Sequence, residues 1–398
     1  MALDRKTTSP DFRITQYPNS LSTWRYIEDN GVSADMGLGT DEFLMRYFPA
    51  ENPHPEPVLR LYTYRSHCAL VGRFQNIQAE LNFDFCRAND IQIGRRPTGG
   101  GAIIMGSGQL GLCFVTSGAF EPEASRPADI YRRFSAPMID ALKNLGIEAG
   151  FRSKNDLEVN GKKIAGLGVY ADTHGAILFH TSLLVDLDVP LMLNALRIPV
   201  QKISDKAMIR SVGQRITTVS RELNRPITTD EVRQAVKKSF EKYFGIQFRS
   251  QPVSHEEKAE IEQLAAEKYR SDEWLFQRSP QADMTGMSIK KTPAGLLRTY
   301  IGLKGETIKS VLITGDFFEH AEAFSKIEAR LKWAPLEKKF IEKAVSEVFS
   351  EAFVDENLTV NDLVSAIWLA AKSAMTENRF TYRGSCYYPE KNKAKAEA

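Results

Sequence analysis

Residues 156–172, DLEVNGKKIAGLGVYAD, and 175–188, GAILFHTSLLVDLD, decide the fold class. Two apolar runs flank Asn160–Gly161, and such a pair is a strong hairpin-turn signal because both residues tolerate positive φ. The region from 154 to 188 therefore reads as short strands in succession. Working outward, VLRLYTY (58–64) and CALVGRF (68–74) read as two strands around a turn at Arg65–His67. AII (102–104) and LGLCFVTS (110–117) read as strands beside a glycine-rich loop. The proline-rich ENPHPEP (51–57) reads as a loop. Helical patterns interleave with these strands. One follows Asp41, carries Leu44, Met45 and Phe48 and ends before Pro49; another runs through SAPMIDALKNLG and stops at Gly146. A third spans 229–244, from Thr229–Asp230 to Gly245. Strand pairs interrupted by helices argue for α+β rather than a parallel doubly wound sheet.

Farther along, Ser254 with Glu257 three residues later is a capping-box pattern, predicting a helix over 255–270. The segment GLLRTYIGLKGETIKSVLITGD (295–316) predicts a second hairpin turning at Lys304–Gly305, and a helix is predicted from Thr359, with Asp362 at its third position. The expected division is a catalytic domain over 1–255, a linker helix over 256–272, an accessory domain over 273–385 and a flexible tail over 386–398. A chain of 398 residues fits two cores better than one. Its net charge of +2 gives no steer toward nucleic acid or membrane. Four cysteines stand apart without a C-x-x-C pair, so reduced thiols are expected rather than a zinc site or disulfides. The first twenty residues lack the apolar core of a secretion signal, and no run approaches the ~20 apolar residues of a membrane helix. A soluble cytoplasmic protein is expected.

Three segments can carry chemistry. In Arg95-Arg96-Pro97-Thr98-Gly99-Gly100-Gly101 the glycines clear one face of a loop, so backbone N–H groups can converge on an anion with arginines beside them. The plainer reading is a glycine-rich turn next to a solvated Arg pair. In Lys162-Lys163-Ile164-Ala165-Gly166, strand alternation sends the two lysines to opposite faces, and Lys163, which leads into IAGLGVY, is the candidate to face inward. An inward ammonium needs an anionic partner. His180, in LFHTSLL, reads by itself as a core histidine. No set of residues at metal-ligand spacing accompanies it, so no protein-held metal is expected.

Taken in order, VGRFQN (71–76), RRPTGGG (95–101), KNDLEVNGKKIAG (154–166), FHTSLLVD (179–186) and KAMIRSVGQRI (206–216) resemble the lipoate–protein ligase A family, within the wider group of biotin–protein ligases and octanoyl transferases. The resemblance covers most of residues 60–220 and implies a mixed-to-antiparallel-sheet catalytic domain of biotin/lipoate ligase type, with a smaller α+β C-terminal accessory domain. It implies lipoate as substrate with Mg²⁺ and ATP, lipoyl-AMP as intermediate, and transfer to a lysine of a lipoyl-carrier protein. That acceptor would be a dehydrogenase acyltransferase subunit, a glycine-cleavage carrier or a lipoate-binding protein. Octanoate is an alternative acid. Carried over by position, Lys163 is the lysine that bridges acyl carbonyl and phosphate. Arg96 with Gly99, Gly100 and Gly101 lines the lipoyl and phosphate groups, flanked by Thr98 and by Arg73 of VGRFQN. Gln109 falls near the phosphate, Asp156 on the adenine or acceptor side, and His180 in the pocket; Gly166 and Gly168 allow close approach of the backbone. One departure stands out: where the family commonly continues GGGxVxHD, this chain has Ala102-Ile103-Ile104-Met105-Gly106.

Three rivals remain. An octanoyl or lipoyl transferase needs a thiolate nucleophile, yet the position three residues before His180 is Ile177, and no cysteine lies between Cys113 and Cys386. Biotin ligation is disfavoured by the N-D-L, K-I-A-G, H-T-S-L-L order. A non-catalytic binder of lipoyl-adenylate is supported only by the missing His-Asp pair, and a retained Lys163 opposes it. The segment RGSCYYP (383–389) reads as a terminal strand or turn.

Overall fold

The computed structural model describes residues 23–48, 56–117, 127–152, 155–172, 175–197, 215–317, 321–352 and 357–380. The Cys386 tail and residues 206–214 of KAMIRSVGQRI lie outside them. In chain order the strands begin with β1 (Thr23–Val32), β2 (Val58–Tyr64), β3 (Cys68–Val71), β4 (Gln92–Arg95), β5 (Ile103–Met105), β6 (Gln109–Ser117), β7 (Gly150–Arg152) and β8 (Asp156–Val159). They continue with β9 (Lys162–Ala171), β10 (Ala176–Leu184), β11 (Gln247–Ser250), β12 (Gly286–Lys291), β13 (Leu296–Lys304), β14 (Thr307–Gly315) and β15 (Ala334–Pro335).

Two compact units result. The first comprises 1–66, 105–189 and 203–263; the second comprises 67–104, 190–202 and 264–398. A linear boundary near 255 keeps 67–104 with the first unit, whereas the chain groups them with the C-terminal third. VLRLYTY and CALVGRF accordingly do not pair with each other: β2 joins the large sheet and β3 a small one.

The first unit is an eight-stranded sheet in the order β11-β1-β2-β6-β10-β9-β8-β7. The contacts of β1 with β11 and β2 are parallel and the rest antiparallel, so the sheet is mixed. Alternation gives it two distinct faces. Leu59 and Leu61, Leu110, Leu112 and Phe114, Ala165 and Leu167, and Ile177 and Phe179 form one apolar face. The helices Pro127–Asn144 and Thr229–Phe244 cover it with Phe134, Met138, Val236 and Phe240. Phe114 sits at the centre, 5.0 Å from the Phe134 ring and 5.5 Å from that of Trp24. Each such ring contributes roughly 1.5–3 kcal/mol by leaving water. The second helix begins with a full capping box, Thr228 with Glu231, and ends at Gly245 in the left-handed conformation, as its sequence signals require.

The helix Ala34–Arg46 packs on the other face, against β2, β6 and β10. The sequence placed its start after Asp41, but the helix begins seven residues earlier and Asp41 lies buried in its middle. Its carboxylate accepts from Arg60 Nη1 at 2.6 Å and from the Tyr62 hydroxyl at 3.1 Å. Arg60, fully buried, also donates to Asp29 at 2.7 Å and stacks over the Tyr62 ring. Asp41 is thus a buried counter-ion rather than a cap, a role that only tertiary packing reveals.

The second unit holds the antiparallel sheet β12-β13-β14-β15 and the small sheet β4-β3-β5. Its core packs β13 and β14 against the helices Ala321–Leu331, Lys338–Glu351 and Val360–Phe380. The hairpin turns at Gly305–Glu306, one residue beyond the expected Lys304–Gly305, because Lys304 still pairs with Thr307; Gly305 takes φ 61°, and Thr359 with Asp362 caps the last helix as expected. The helix predicted over 255–270 is α-helical only over His255–Leu264, and a π-helical turn follows at Ala265–Tyr269. Among the described residues no helix is long and apolar enough to cross a membrane.

Candidate functional site

In the first unit the candidate residues gather on the face opposite the apolar core, and a bulge puts the lysine there. The β8–β9 hairpin turns at Asn160 (φ 50°) and Gly161 (φ 76°), the paired positive angles of a tight turn. Down the ladder Glu158 opposes Lys163, yet Leu157 opposes Ala165, so Ile164 is an extra residue on β9. Ile164 and Ala165 consequently both face the core, where each is fully buried. Lys163 and Gly166, three positions apart, emerge on the same opposite face. Bulges characteristically re-aim a side chain in this way. The Lys163 backbone is fixed on its other side by the segment that follows, its N–H donating to Arg215 O at 2.8 Å and its carbonyl accepting from Thr217 N at 2.9 Å.

From there the lysine folds back along its own strand. A methyl on Gly166 would stand 3.0 Å from Nζ, so the missing side chain is the space the amine occupies. The anionic partner demanded by an inward ammonium is Asp156, whose Oδ1 lies 2.7 Å from Nζ, with both side chains about one-third exposed. His180 repeats the arrangement one row along. It opposes Gly168 on one side and Cys113 on the other, and its imidazole lies over Gly168, where a methyl would meet Nε2 at 2.2 Å. Tyr62 does the same over Gly111. Three glycines on one face therefore each carry a flat or folded functional side chain. Gln109, buried at the start of β6, donates from Nε2 to Asp186 O at 2.5 Å, and its Oε1 has no partner among the described residues.

The glycine-rich loop belongs to the second unit and is held from within. Gly72 lies so close beneath it that a methyl there would be 2.0 Å from Gly100 O. Gly100, at φ 92°, donates its N–H to Phe317 O at 2.8 Å, and Arg73 N donates to Thr98 O at 2.9 Å. The two arginines, expected to face an anion, turn to carbonyls instead. Arg96 donates to Leu70 O, Gly99 O and Gly101 O, each at 2.9 Å. Arg95, fully buried, donates to Gly72 O, Arg73 O, Gln75 O and Leu275 O, while the Trp274 indole donates to Arg95 O. Burial, reinforced by Arg278 and Arg96, pushes the Arg95 pKa down to about 9. As placed, these guanidiniums shape the loop. Thr98 is buried among them, and Arg73 lies beside the Phe74 ring.

The structure thus assembles Lys163, Asp156, Gly166, Gly168, His180 and Gln109 on the first unit, and Arg73, Arg96, Thr98 and Gly99 to Gly101 on the second. The Asp41–Arg60–Tyr62 network was missed in the sequence, where the i, i+2 spacing of Arg60 and Tyr62 was the one available signal. Among the described residues no group of three or more His, Cys, Asp or Glu is spaced to hold a metal ion.

Two family models match the chain, and the first runs through 67–104 as well as the segments of the first unit. The model of the lipoyl protein ligase A/B catalytic domain matches residues 34–241, and that of the bacterial lipoate protein ligase C-terminus matches 282–367. The lipoate-protein ligase LplJ of Bacillus subtilis is 26% identical over 334 residues, 84% of this chain and 96% of its own length. The octanoyltransferase LipM of the same organism is 29% identical over 279 residues, 64% of this chain and 99% of its own. A solved lipoate-protein ligase A bound with ATP aligns with a TM-score of 0.55 at 26% identity, covering 64% of this chain and 98% of that one.

Proposed function

The chain belongs to the lipoyl protein ligase A/B catalytic-domain family, and from that membership we propose that it is an ATP-dependent lipoate–protein ligase. In this reading it joins lipoate, or octanoate, to AMP and passes the acyl group to a lysine of a lipoyl-carrier domain. The chemistry asks for little beyond placement and anion stabilisation. A lipoate carboxylate oxygen attacks the α-phosphorus of Mg–ATP, the new C–O–P linkage forms, and pyrophosphate leaves. The acceptor amine then attacks the acyl carbon, and AMP departs. Mg²⁺ would be carried by the nucleotide phosphates and would neutralise part of their charge.

Lys163 is the residue we assign to bridge the acyl carbonyl and the phosphate. Its ammonium is a point charge on a long stem, anchored at the backbone and free to exchange Asp156 for a more strongly anionic partner. His180, lying over Gly168, is assigned to the acyl pocket, and Gln109 offers its unpartnered buried Oε1 to a donor on the substrate. On the second unit, the Thr98–Gly101 backbone, shaped by Arg96, is assigned to line an anionic group. Cys68, Cys86 and Cys113, buried and not joined in disulfides among the described residues, fit a cytoplasmic setting.

The observation that favours ligase over transferase is the state of Cys113. It shares the face of Lys163 and His180, but it is fully buried, and burial together with Asp41 pushes its thiol pKa well up. A thioester route needs an accessible thiolate. The extents of the relatives agree, since the ligase match reaches 84% of this chain and the octanoyltransferase match 64%. The transferase reading is kept as the second choice because LipM is similar over 64% of this chain. The test is lipoate-dependent exchange of labelled pyrophosphate into ATP, with octanoate and biotin as controls. Exchange that disappears in Lys163→Ala, with folding intact, supports the ligase. Absence of exchange in the wild-type protein, with acyl transfer from an octanoylated carrier, would install the transferase in its place.

A further inference from the structure

The floor beneath the Lys163 amine is a cross-strand row. Asp156 of β8 opposes Gly166 of β9, and Gly166 opposes Ser182 of β10. Directly opposed residues share a face, with Cβ positions ~4.5–5.5 Å apart. A carboxylate, a gap and a hydroxyl therefore stand in line, and the ammonium lies above the gap. A methyl on Gly166 would be 3.0 Å from Lys163 Nζ and 3.3 Å from Ser182 Oγ, so amine and hydroxyl converge on one point. Asp156 already holds the amine from its side at 2.7 Å. Ser182 is half-buried, and its side-chain hydroxyl makes no hydrogen bond among the described residues.

We propose that Ser182 is a positioning residue for Lys163, a role that rests on the ligase reading above. An acyl-phosphate reaching the amine competes with Asp156 for it. When that ion pair opens, a side chain with several rotatable bonds loses its fixed partner, and its orientation over Gly166 has to come from elsewhere. The Ser182 hydroxyl accepts one ammonium N–H and donates its own hydrogen to an oxygen of the acyl-phosphate. Being neutral, it does not draw the cation away from the substrate as a carboxylate does. No proton is transferred from it in either step. The bond made is C–O–P in the first step and the amide in the second, and the leaving groups are pyrophosphate and AMP.

The experiment compares full-length wild type, Ser182→Ala and Ser182→Thr in lipoate-dependent ATP–pyrophosphate exchange and in transfer from synthetic lipoyl-AMP to a lipoyl domain. A positioning role predicts that Ser182→Ala loses about tenfold in kcat for exchange, the worth of one hydrogen bond made in the transition state, with KM for lipoate within about twofold. Ser182→Thr, which keeps the hydroxyl, returns to within about threefold, and both variants unfold at the wild-type midpoint. The inference is overturned if Ser182→Ala retains kcat, or if Thr is as impaired as Ala, because the loss then reports packing. A wild type without exchange or transfer overturns the ligase reading, and this inference with it. An active wild type with an indifferent Ser182→Ala overturns the inference alone.

Discussion

Replacing Gly72 by alanine tests whether the glycine-rich loop is held by close backbone contact. The added methyl would lie 2.0 Å from Gly100 O, 3.0 Å from Gly100 C and 3.1 Å from Gly99 C, where ordinary contact begins at 3.4 Å. The obstacle is backbone on a positive-φ glycine, not the end of a side chain, so the loop has to move by about 1 Å or more. That displacement opens the Gly100 N–Phe317 O bond and strains the Arg96 bonds to Gly99 O and Gly101 O. A neutral hydrogen bond contributes about 1 kcal/mol net and a charged one about 1.5–3 kcal/mol. Overpacking adds ~1–3 kcal/mol. With part of the bonding recovered in the shifted loop, the expected loss is about 3 kcal/mol, confined to the second unit. Urea unfolding followed by tryptophan fluorescence can separate the units, because Trp274, Trp333 and Trp368 belong to the second and Trp24 to the first. Lipoate-dependent exchange should fall together with the second unit's midpoint. Wild-type stability and exchange in Gly72→Ala would refute the argument that this glycine is required by contact with the loop.

Gly168→Ala places a methyl 2.2 Å from His180 Nε2, and since a side chain can swing away, activity should fall by roughly tenfold while the unfolding midpoint moves little; a proportionate loss of both would contradict this. Arg60→Met leaves Asp41 buried without its nearest cation, so the first unit should lose about 3–5 kcal/mol in denaturant titration. Glu257 accepts both guanidinium nitrogens of Arg25, and that pairing holds its carboxyl below the usual glutamate value of 4.5. A depressed carboxylate stabilises fully above that value, and its contribution disappears as pH falls through the native pKa. Glu257→Gln should therefore be less stable than wild type at pH ~7, and the gap between them should narrow as pH falls below 4.5.

The parts of the fold legible in the sequence were those written in local chemistry. Asn160–Gly161, Gly245, Gly305 and the Thr359–Asp362 cap each specify a backbone angle or a bond within a few residues, and the structure has them all, with the Gly305 turn one residue later than expected. What was not legible depends on partners far along the chain. Asp41 looks like a helix start until Arg60 is placed beside it. Arg95 and Arg96 look like an anion site until the carbonyls they bind are folded around them, and no residue near 67 announces that 67–104 will join the C-terminal third. The site itself was half legible. Lys163, Gly166, Gly168 and His180 were singled out from the sequence, but that the glycines are the seats of the two functional side chains follows only from the geometry.

The extra residue at Ile164 makes this site a matter of counting as well as of chemistry. With plain alternation through 163–166, as one residue added to β8 between Leu157 and Glu158 would allow, the amine would fall on the leucine and phenylalanine side of the sheet and Ile164 on the other. A chain of this kind can keep K, I, A and G in order and still be silent if its spacing slips by one. The count of residues on β8 against β9 is thus under the same constraint as their identity.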